Sequence, residues 1–513
     1  MNALCVLYGG RLGSQAFEKV FSGGESAFSL AFSAARRFPD VQKIVFLGLE
    51  GKDYSQLPSG AEVILRPSYN RKSLLEEISR ASAGFDFCYF AWADCPLLDS
   101  ALAASLMERH IRYGAEYSYA DGWPYGFAPE LLSSETAGIL AKISDEEPVE
   151  RDALFAVIQK DINAFDIETE ISPVDLRSYR LCLASDSKRN LLLLLRWMES
   201  GLVSAAQAEE FIKENPCLIR TLPAFFNIQV YGGCPQSCSI CPYPSYGGPG
   251  RKDYMSKENF AKLLDKIVGF AGDAVIDLSL WGELSLHPEK MELVNMVISR
   301  PALSLVIETS GIGWKEDELE ALALLASKAE PRKNHMAPLS WIVSLDAHSP
   351  ERYRDVRGPG FSEAYSCAKT LLSIFPRSAY VQAVRVKGFE DDIENFYRSW
   401  KGSGDGSHII IQKYDDFSGA LPRLQASDLS PVIRRPCWHI TRDMNILLDG
   451  TVPRCREDIE ALNAKGDKPA LGNVFTEDLS LIWDKGTDLY LEHCKLEYKG
   501  ICADCDEYYT FNF

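Results

Sequence analysis

The sequence predicts an α/β protein made of two successive strand–helix alternations and a small cysteine-rich tail. Three observations carry this prediction. β-rich runs alternate with helix-spaced stretches over residues 1–185, the alternation restarts at Phe225 with six strands, and beyond residue 431 the periodicity lapses where cysteines cluster. A chain of 513 residues exceeds what one hydrophobic core organises, so several domains are expected. With 46% hydrophobic, 25% charged and 11% aromatic residues, it should fold throughout.

The first alternation places strands at Ala3 to Tyr8, Lys43 to Leu47 and Asp86 to Ala91, with helices such as Ser26 to Arg37 between them, which predicts a parallel α/β domain over 1–185. Helices follow as a connector over 186–221. Its run Leu191 to Leu195, flanked by Arg189 and Arg196, is far shorter than the ~20 residues that span a bilayer and reads as a buried helix. Pro216 and Pro223 bracket a boundary. Strands near 225–231, 274–281, 303–309, 339–346, 379–386 and 408–414, with helical spacing between them, then predict a (βα) barrel or partial barrel over 222–430. Its catalytic groups should lie where strands end. The tail, 431–513, reads as a region stapled by metal in place of a large core.

A net charge of −18 gives no general attraction to nucleic acid or to an anionic membrane. Met1 to Tyr8 lacks the basic and apolar regions of a signal peptide, so a cytoplasmic protein with no membrane span is expected. In a reducing compartment, clustered cysteines bind metal or do redox chemistry. Eight of the fourteen form two groups: Cys234, Cys238 and Cys241, then Cys437, Cys455, Cys494, Cys502 and Cys505. The other six, Cys5, Cys88, Cys95, Cys182, Cys217 and Cys367, sit among apolar neighbours and read as small core residues.

Cys234-Pro-Gln-Ser-Cys238-Ser-Ile-Cys241 follows the first barrel strand through Gly232 and Gly233. A zinc site takes four protein ligands and no fourth is obvious nearby, whereas a cubane held by three cysteines leaves one iron open for a small molecule. This C-x3-C-x2-C segment after a first strand resembles the signature of the radical S-adenosylmethionine (SAM) superfamily, over roughly residues 222–430. The resemblance implies a partial (βα)6 barrel, a 4Fe-4S cluster on these three cysteines, and cleavage of SAM to a 5'-deoxyadenosyl radical that takes hydrogen from a substrate. Trp281-Gly282-Glu283 resembles the family's Gly-Gly-Glu segment, with tryptophan for the first glycine, and implies that Gly282 and Glu283 hold the SAM amino group. Glu308-Thr309-Ser310-Gly311 and Ser344-Leu345-Asp346-Ala347 resemble the next two strand ends. Ser310, Ser344 and Asp346 are thereby candidates for the ribose or carboxylate of SAM, with Arg357 a partner for the carboxylate.

Cys437 and Cys455, with Gly450 between them, and then Cys502-Ala-Asp-Cys505 resemble the SPASM and Twitch extensions of that superfamily. A full SPASM set has seven cysteines; the five here imply one auxiliary 4Fe-4S cluster on Cys437, Cys455, Cys502 and Cys505, with Cys494 an alternative ligand and a four-cysteine zinc site the other reading. Asn445 to Cys455 is expected to form a β-hairpin that brings Cys455 beside Cys437.

In the first domain, Gly9-Gly10-Arg11-Leu12-Gly13 offers backbone that can approach a phosphate. Ala93-Asp94-Cys95-Pro96-Leu97 resembles the Asp-Cys-Pro-Leu segment of sugar cytidylyltransferases, which implies a nucleotidyltransferase-like domain in which Asp94, with Asp186 as an approximate second carboxylate, holds Mg2+ against a nucleotide. An active transferase, a nucleotide-sugar or substrate-binding remnant and a purely structural domain stay open. The whole arrangement resembles the spiro-SPASM proteins. It implies a radical SAM enzyme fed by a reductant such as flavodoxin or ferredoxin, acting on a peptide or protein or on a nucleotide-linked sugar. The alternatives are a cytidylyltransferase with structural or sensory clusters, and an iron-sulfur electron-transfer protein.

Overall fold

The computed structural model describes residues 1–57, 60–247, 250–332, 334–402, 406–463 and 470–510. Its contacts divide into two units, Met1–Thr221 and Leu222–Phe513.

The first unit is built on a seven-stranded sheet of β1 (Ala3–Tyr8), β2 (Val41–Leu49), β3 (Glu62–Arg66), β4 (Phe87–Trp92), β5 (Tyr117–Asp121), β6 (Glu130–Ser133) and β7 (Ile167–Ile171), in the order β3-β2-β1-β4-β6-β5-β7. The expected parallel sheet runs across β3-β2-β1-β4, and β6 is inserted antiparallel between β4 and β5. β1 is an unbroken apolar run because it is covered on both faces, and all six of its residues are buried. Asp99 accepts from the backbone of Ala101 and Leu102 to start the helix Ser100–Tyr113, and Gly114 in the left-handed region ends it. The helix Lys188–Glu199 buries Leu191, Leu193, Leu194 and Trp197, and Trp197 stacks on Phe211 with centroids 3.8 Å apart. These side chains share a core with Phe127 and Leu183, so the helices after residue 186 complete the first unit. Cys5, Cys88, Cys95 and Cys367 are buried as expected, but Cys182 is only half-buried and Cys217 is exposed, carried into solvent by the short helix Pro216–Ile219.

The second unit carries all six expected strands, β8 (Phe225–Ile228), β11 (Ala274–Asp277), β12 (Leu303–Thr309), β13 (Leu339–Ser344), β14 (Ala379–Arg385) and β15 (Ile409–Lys413); β9 (Tyr231–Gly233) and β10 (Gly250–Tyr254) form a separate ribbon. A seventh strand, β16 (Asp443–Ile446), comes from the tail and pairs parallel with β8, giving the order β15-β14-β13-β12-β11-β8-β16. The reversal expected over 445–455 is present: Gly450 N donates to Leu447 O and Leu447 N donates to Thr451 O, both at 2.9 Å. Its two arms form their ladders with other strands, β16 with β8 and β17 (Thr451–Pro453) with β18 (Ala470–Asn473). Met444, Ile446, Val452, Val474, Ile482 and Trp483 are buried in one cluster with the barrel residues, so the tail has an apolar core of its own making with the barrel and does not rest on metal alone. Among the described residues no helix is long and apolar enough to cross a membrane.

Candidate active site

β8 delivers the chain to β9, whose last residue, Gly233, precedes Cys234. The cysteine loop is pinned at three points: Tyr243 Oη donates to Gly232 O at 2.7 Å, Cys241 N donates to Cys238 O at 3.3 Å, and Ser239 N donates to Val356 O at 2.8 Å. Cys234, Cys238 and Cys241 line a cavity of about 270 Å³ together with Gly282, Glu283, Ser310, Ser344, Asp346 and Arg357. The nine residues singled out in the barrel sequence thus meet in one place, at the ends of its strands.

Each is held by a specific contact. A Cβ on Gly282 would lie 1.9 Å from Tyr231 O, so only glycine fits there. Trp281 turns the chain with φ +49 and packs near-parallel to Tyr243, 6.2 Å between centroids. Asp346 and Phe417, also on the cavity wall, have φ of +57 and +51. Such left-handed backbone costs about 1–3 kcal/mol per residue and persists where surrounding contacts over-determine it. Glu283 is buried; Oε1 accepts from Thr309 Oγ1 at 2.7 Å and Oε2 accepts from Ser310 N at 2.8 Å, tying the ends of β11 and β12 together. Arg357 donates to Asp346, and its Nε donates to Gln236 Oε1 at 2.9 Å, while Gln236 Nε2 donates to Tyr353 Oη at 2.6 Å. Burial opposes the guanidinium charge, but Cys238 and Asp346 outweigh it and hold Arg357 firmly cationic.

Burial pushes the thiols of Cys234 and Cys241 up to about 12, with Glu283 adding to the effect at Cys234; Cys238 is also raised by burial but is pulled back by Arg357. Iron held by these thiols would displace their protons, since the thiolate is the ligand.

The polar floor of the cavity joins Ser344 to Glu308, Gln382 and Asp277, which carry no mark of their own in the sequence motifs. Ser344 Oγ and Gln382 Nε2 both donate to Glu308 Oε1 at 2.7 Å, and Gln382 Oε1 is a buried acceptor with no protein partner. Burial, then Glu308, raises the Asp277 carboxyl to about 7. The signal that finds these residues is a polar side chain inside an apolar strand, as in Tyr380-Val-Gln382-Ala-Val384.

Cys437, Cys455, Cys502 and Cys505 line a second cavity of about 20 Å³. Burial raises all four thiols, and the charges of Cys437, Cys502 and Cys505 each act on Cys455. Cys494 is not on that wall, whereas His439 is; His439 Nδ1 sits 2.6 Å from Asp443 Oδ2. Arg456 lines both cavities. It donates to Asp415 Oδ2 and to Glu457 Oε1, each at 3.1 Å.

In the first unit, Asp94 and Asp186 do converge, but on Arg151, which donates to Asp94 at 2.8 and 2.7 Å and to Asp186 at 2.9 Å. The expected Mg2+ site does not fit these residues as they stand.

Residues 228–399 match the Radical SAM superfamily. An uncharacterized protein of Treponema pallidum (strain Nichols) is 36% identical over 369 residues, which span 70% of this chain and 98% of that protein. Among solved structures, Streptococcus suis SuiB bound to precursor peptide SuiA is 13% identical with TM-score 0.41, covering 74% of this chain and 84% of its own. A cytidylyltransferase from Leptospira borgpetersenii is 17% identical with TM-score 0.37, covering 42% and 95%. With a three-cysteine loop opening on a strand-end cavity and a superfamily match across the strands that build it, the chain belongs to the radical SAM superfamily, shares a family with the Treponema protein, and is a radical SAM enzyme.

Proposed function

We propose that this enzyme is a SPASM-type member of the spiro-SPASM group, with a 4Fe-4S cluster on Cys234, Cys238 and Cys241 and an auxiliary 4Fe-4S cluster on Cys437, Cys455, Cys502 and Cys505. The observation that carries it is the contrast in ligand number and room: three cysteines face a cavity of about 270 Å³, four enclose one of about 20 Å³. The residues fit the groups, because each set of thiols lines one cavity, Gly282 admits no side chain and Gln382 Oε1 is left as a buried acceptor facing no protein donor. When bound, the first cluster supplies the electron that cleaves SAM to a 5'-deoxyadenosyl radical.

In this reading Arg357 offers positive charge to the SAM carboxylate, with its position fixed by Asp346 and Gln236. Glu283, Ser310 and Ser344 shape the polar side of the cavity, and Trp281 with Tyr243 forms its aromatic wall and excludes water. The substrate is a peptide or protein, or a nucleotide-linked sugar; the reductant is a flavodoxin or ferredoxin in the cytoplasm. The four-part organisation, 1–185, 186–221, 222–430 and 431–513, describes functional segments within the two structural units.

The test is anaerobic reconstitution with iron and sulfide, reduction, and chromatography for 5'-deoxyadenosine. About eight irons per chain and SAM-dependent product are expected. Stoichiometric zinc without sulfide, and no 5'-deoxyadenosine, would overturn the proposal.

A further inference from the structure

The first unit holds a pair of carboxylates that radical chemistry does not use. Asp94 follows β4 and is buried, and Ser185 N donates to its backbone oxygen at 3.0 Å, which draws the segment carrying Asp186 against it. That segment is pinned upstream as well: Leu183 N donates to Tyr125 O at 2.8 Å and Tyr125 N donates to Leu181 O at 3.1 Å. A Cβ on Gly126 would lie 2.5 Å from Leu183 O, so the close approach of the two segments requires glycine there. Two carboxylates fixed in this way repel one another unless a cation lies between them.

Arg151 is that cation. It forks onto both oxygens of Asp94 and reaches Asp186 Oδ2, and its guanidinium sits 4.2 Å from the centre of the Trp92 ring and 5.3 Å from that of Tyr125. The neighbouring loop is tied in the same direction, since Arg11 of the glycine-rich turn donates to Val149 O at 2.6 Å and to Glu150 Oε1 at 2.5 Å. A hard dication needs several free oxygens at close range, and here the oxygens are already engaged in charge-assisted hydrogen bonds.

We infer that Arg151 is a built-in replacement for a divalent cation, occupying the position at which Asp94 and Asp186 would otherwise bind one. The first unit therefore takes no Mg2+ at this pair and carries out no metal-dependent nucleotidyl transfer there. A nucleotide or sugar that this unit binds is bound without a metal bridge. The inference is independent of the cluster assignments.

Room-temperature EPR of free Mn2+ during titration of the full-length chain tests it. Wild type and Asp94→Asn should take up the same amount of Mn2+, because Asp94 offers none of it a site. Arg151→Gln should take up about one more equivalent than wild type, and Arg151→Gln with Asp94→Asn should lose it again. Uptake by wild type that Asp94→Asn abolishes overturns the inference, as does a folded Arg151→Gln chain that gains no Mn2+. If Arg151→Gln does not fold, the wild-type and Asp94→Asn comparison still decides occupancy, and Arg151→Lys, which keeps a charge but not the fork, should leave Mn2+ excluded.

Discussion

The two cysteine sites of the second unit solve opposite problems. The barrel site spends three thiols and keeps a cavity of about 270 Å³ beside them; the tail site spends four and keeps about 20 Å³. The open site is polar, with Glu308, Ser344 and Gln382 on its floor and three wall residues in left-handed backbone. The closed one is walled by Arg456, Glu457 and Glu507 and has no room for a second reactant. In the proposed reading, ligand number and free volume together separate a site that would react from a site that would store charge.

The sharpest break of this comparison is Cys238→Ala. It should abolish 5'-deoxyadenosine formation and remove about half of about eight irons, while the far-UV circular dichroism stays that of wild type. Cys502→Ala with Cys505→Ala should also halve the iron, yet leave SAM binding and slow uncoupled cleavage measurable. Swapped phenotypes in folded variants would mean the reactive and storage roles are reversed.

Arg357→Gln comes next. It leaves Asp346 buried without its cation, at a cost of about 3–5 kcal/mol of stability, and should weaken SAM binding with the iron content unchanged. Equilibrium dialysis against SAM and a urea transition check both parts. Wild-type SAM affinity in the folded variant would remove Arg357 from the binding role.

The smallest expected effect concerns Asp277. Its folded carboxyl is raised to about 7 by burial and by Glu308, so below neutral pH the folded chain keeps a proton that the unfolded chain releases. Stability from this group is therefore highest near pH 4 and falls toward pH 7, by at most about 1.4 kcal/mol per pH unit. Asp277→Asn should flatten that part of the urea midpoint profile between pH 5.5 and 7. An unchanged slope would mean that the cavity is wet enough for Asp277 to ionise normally.

The barrel was legible because each of its signals is local. Three cysteines on one loop, a Gly-Glu at a strand end and hydrophobic runs of strand length are readable from neighbours in sequence, and the strands and the cavity follow. Gln382, Glu308 and Asp277 escaped because their partners lie on other strands. The ladder partner of Asn445 escaped for the same reason. Its local pattern reads as a chain reversal, which is there, but its side chain accepts from Asn227, 218 residues earlier, and the strand around it pairs with β8. Asp94 was found by its motif, whereas its true partner, Arg151, is 57 residues away and carries no local mark.

The pairing of β16 with β8 also sets a timetable for biosynthesis. β8 is the first strand of its sheet to leave the ribosome, and the neighbour that covers its outer edge is among the last segments made. Until then the nascent chain presents an unpaired apolar edge, which invites pairing between chains and slows maturation because the closing contact is so distant in sequence. A chain shortened before Asp443 would keep that edge open for good and should precipitate.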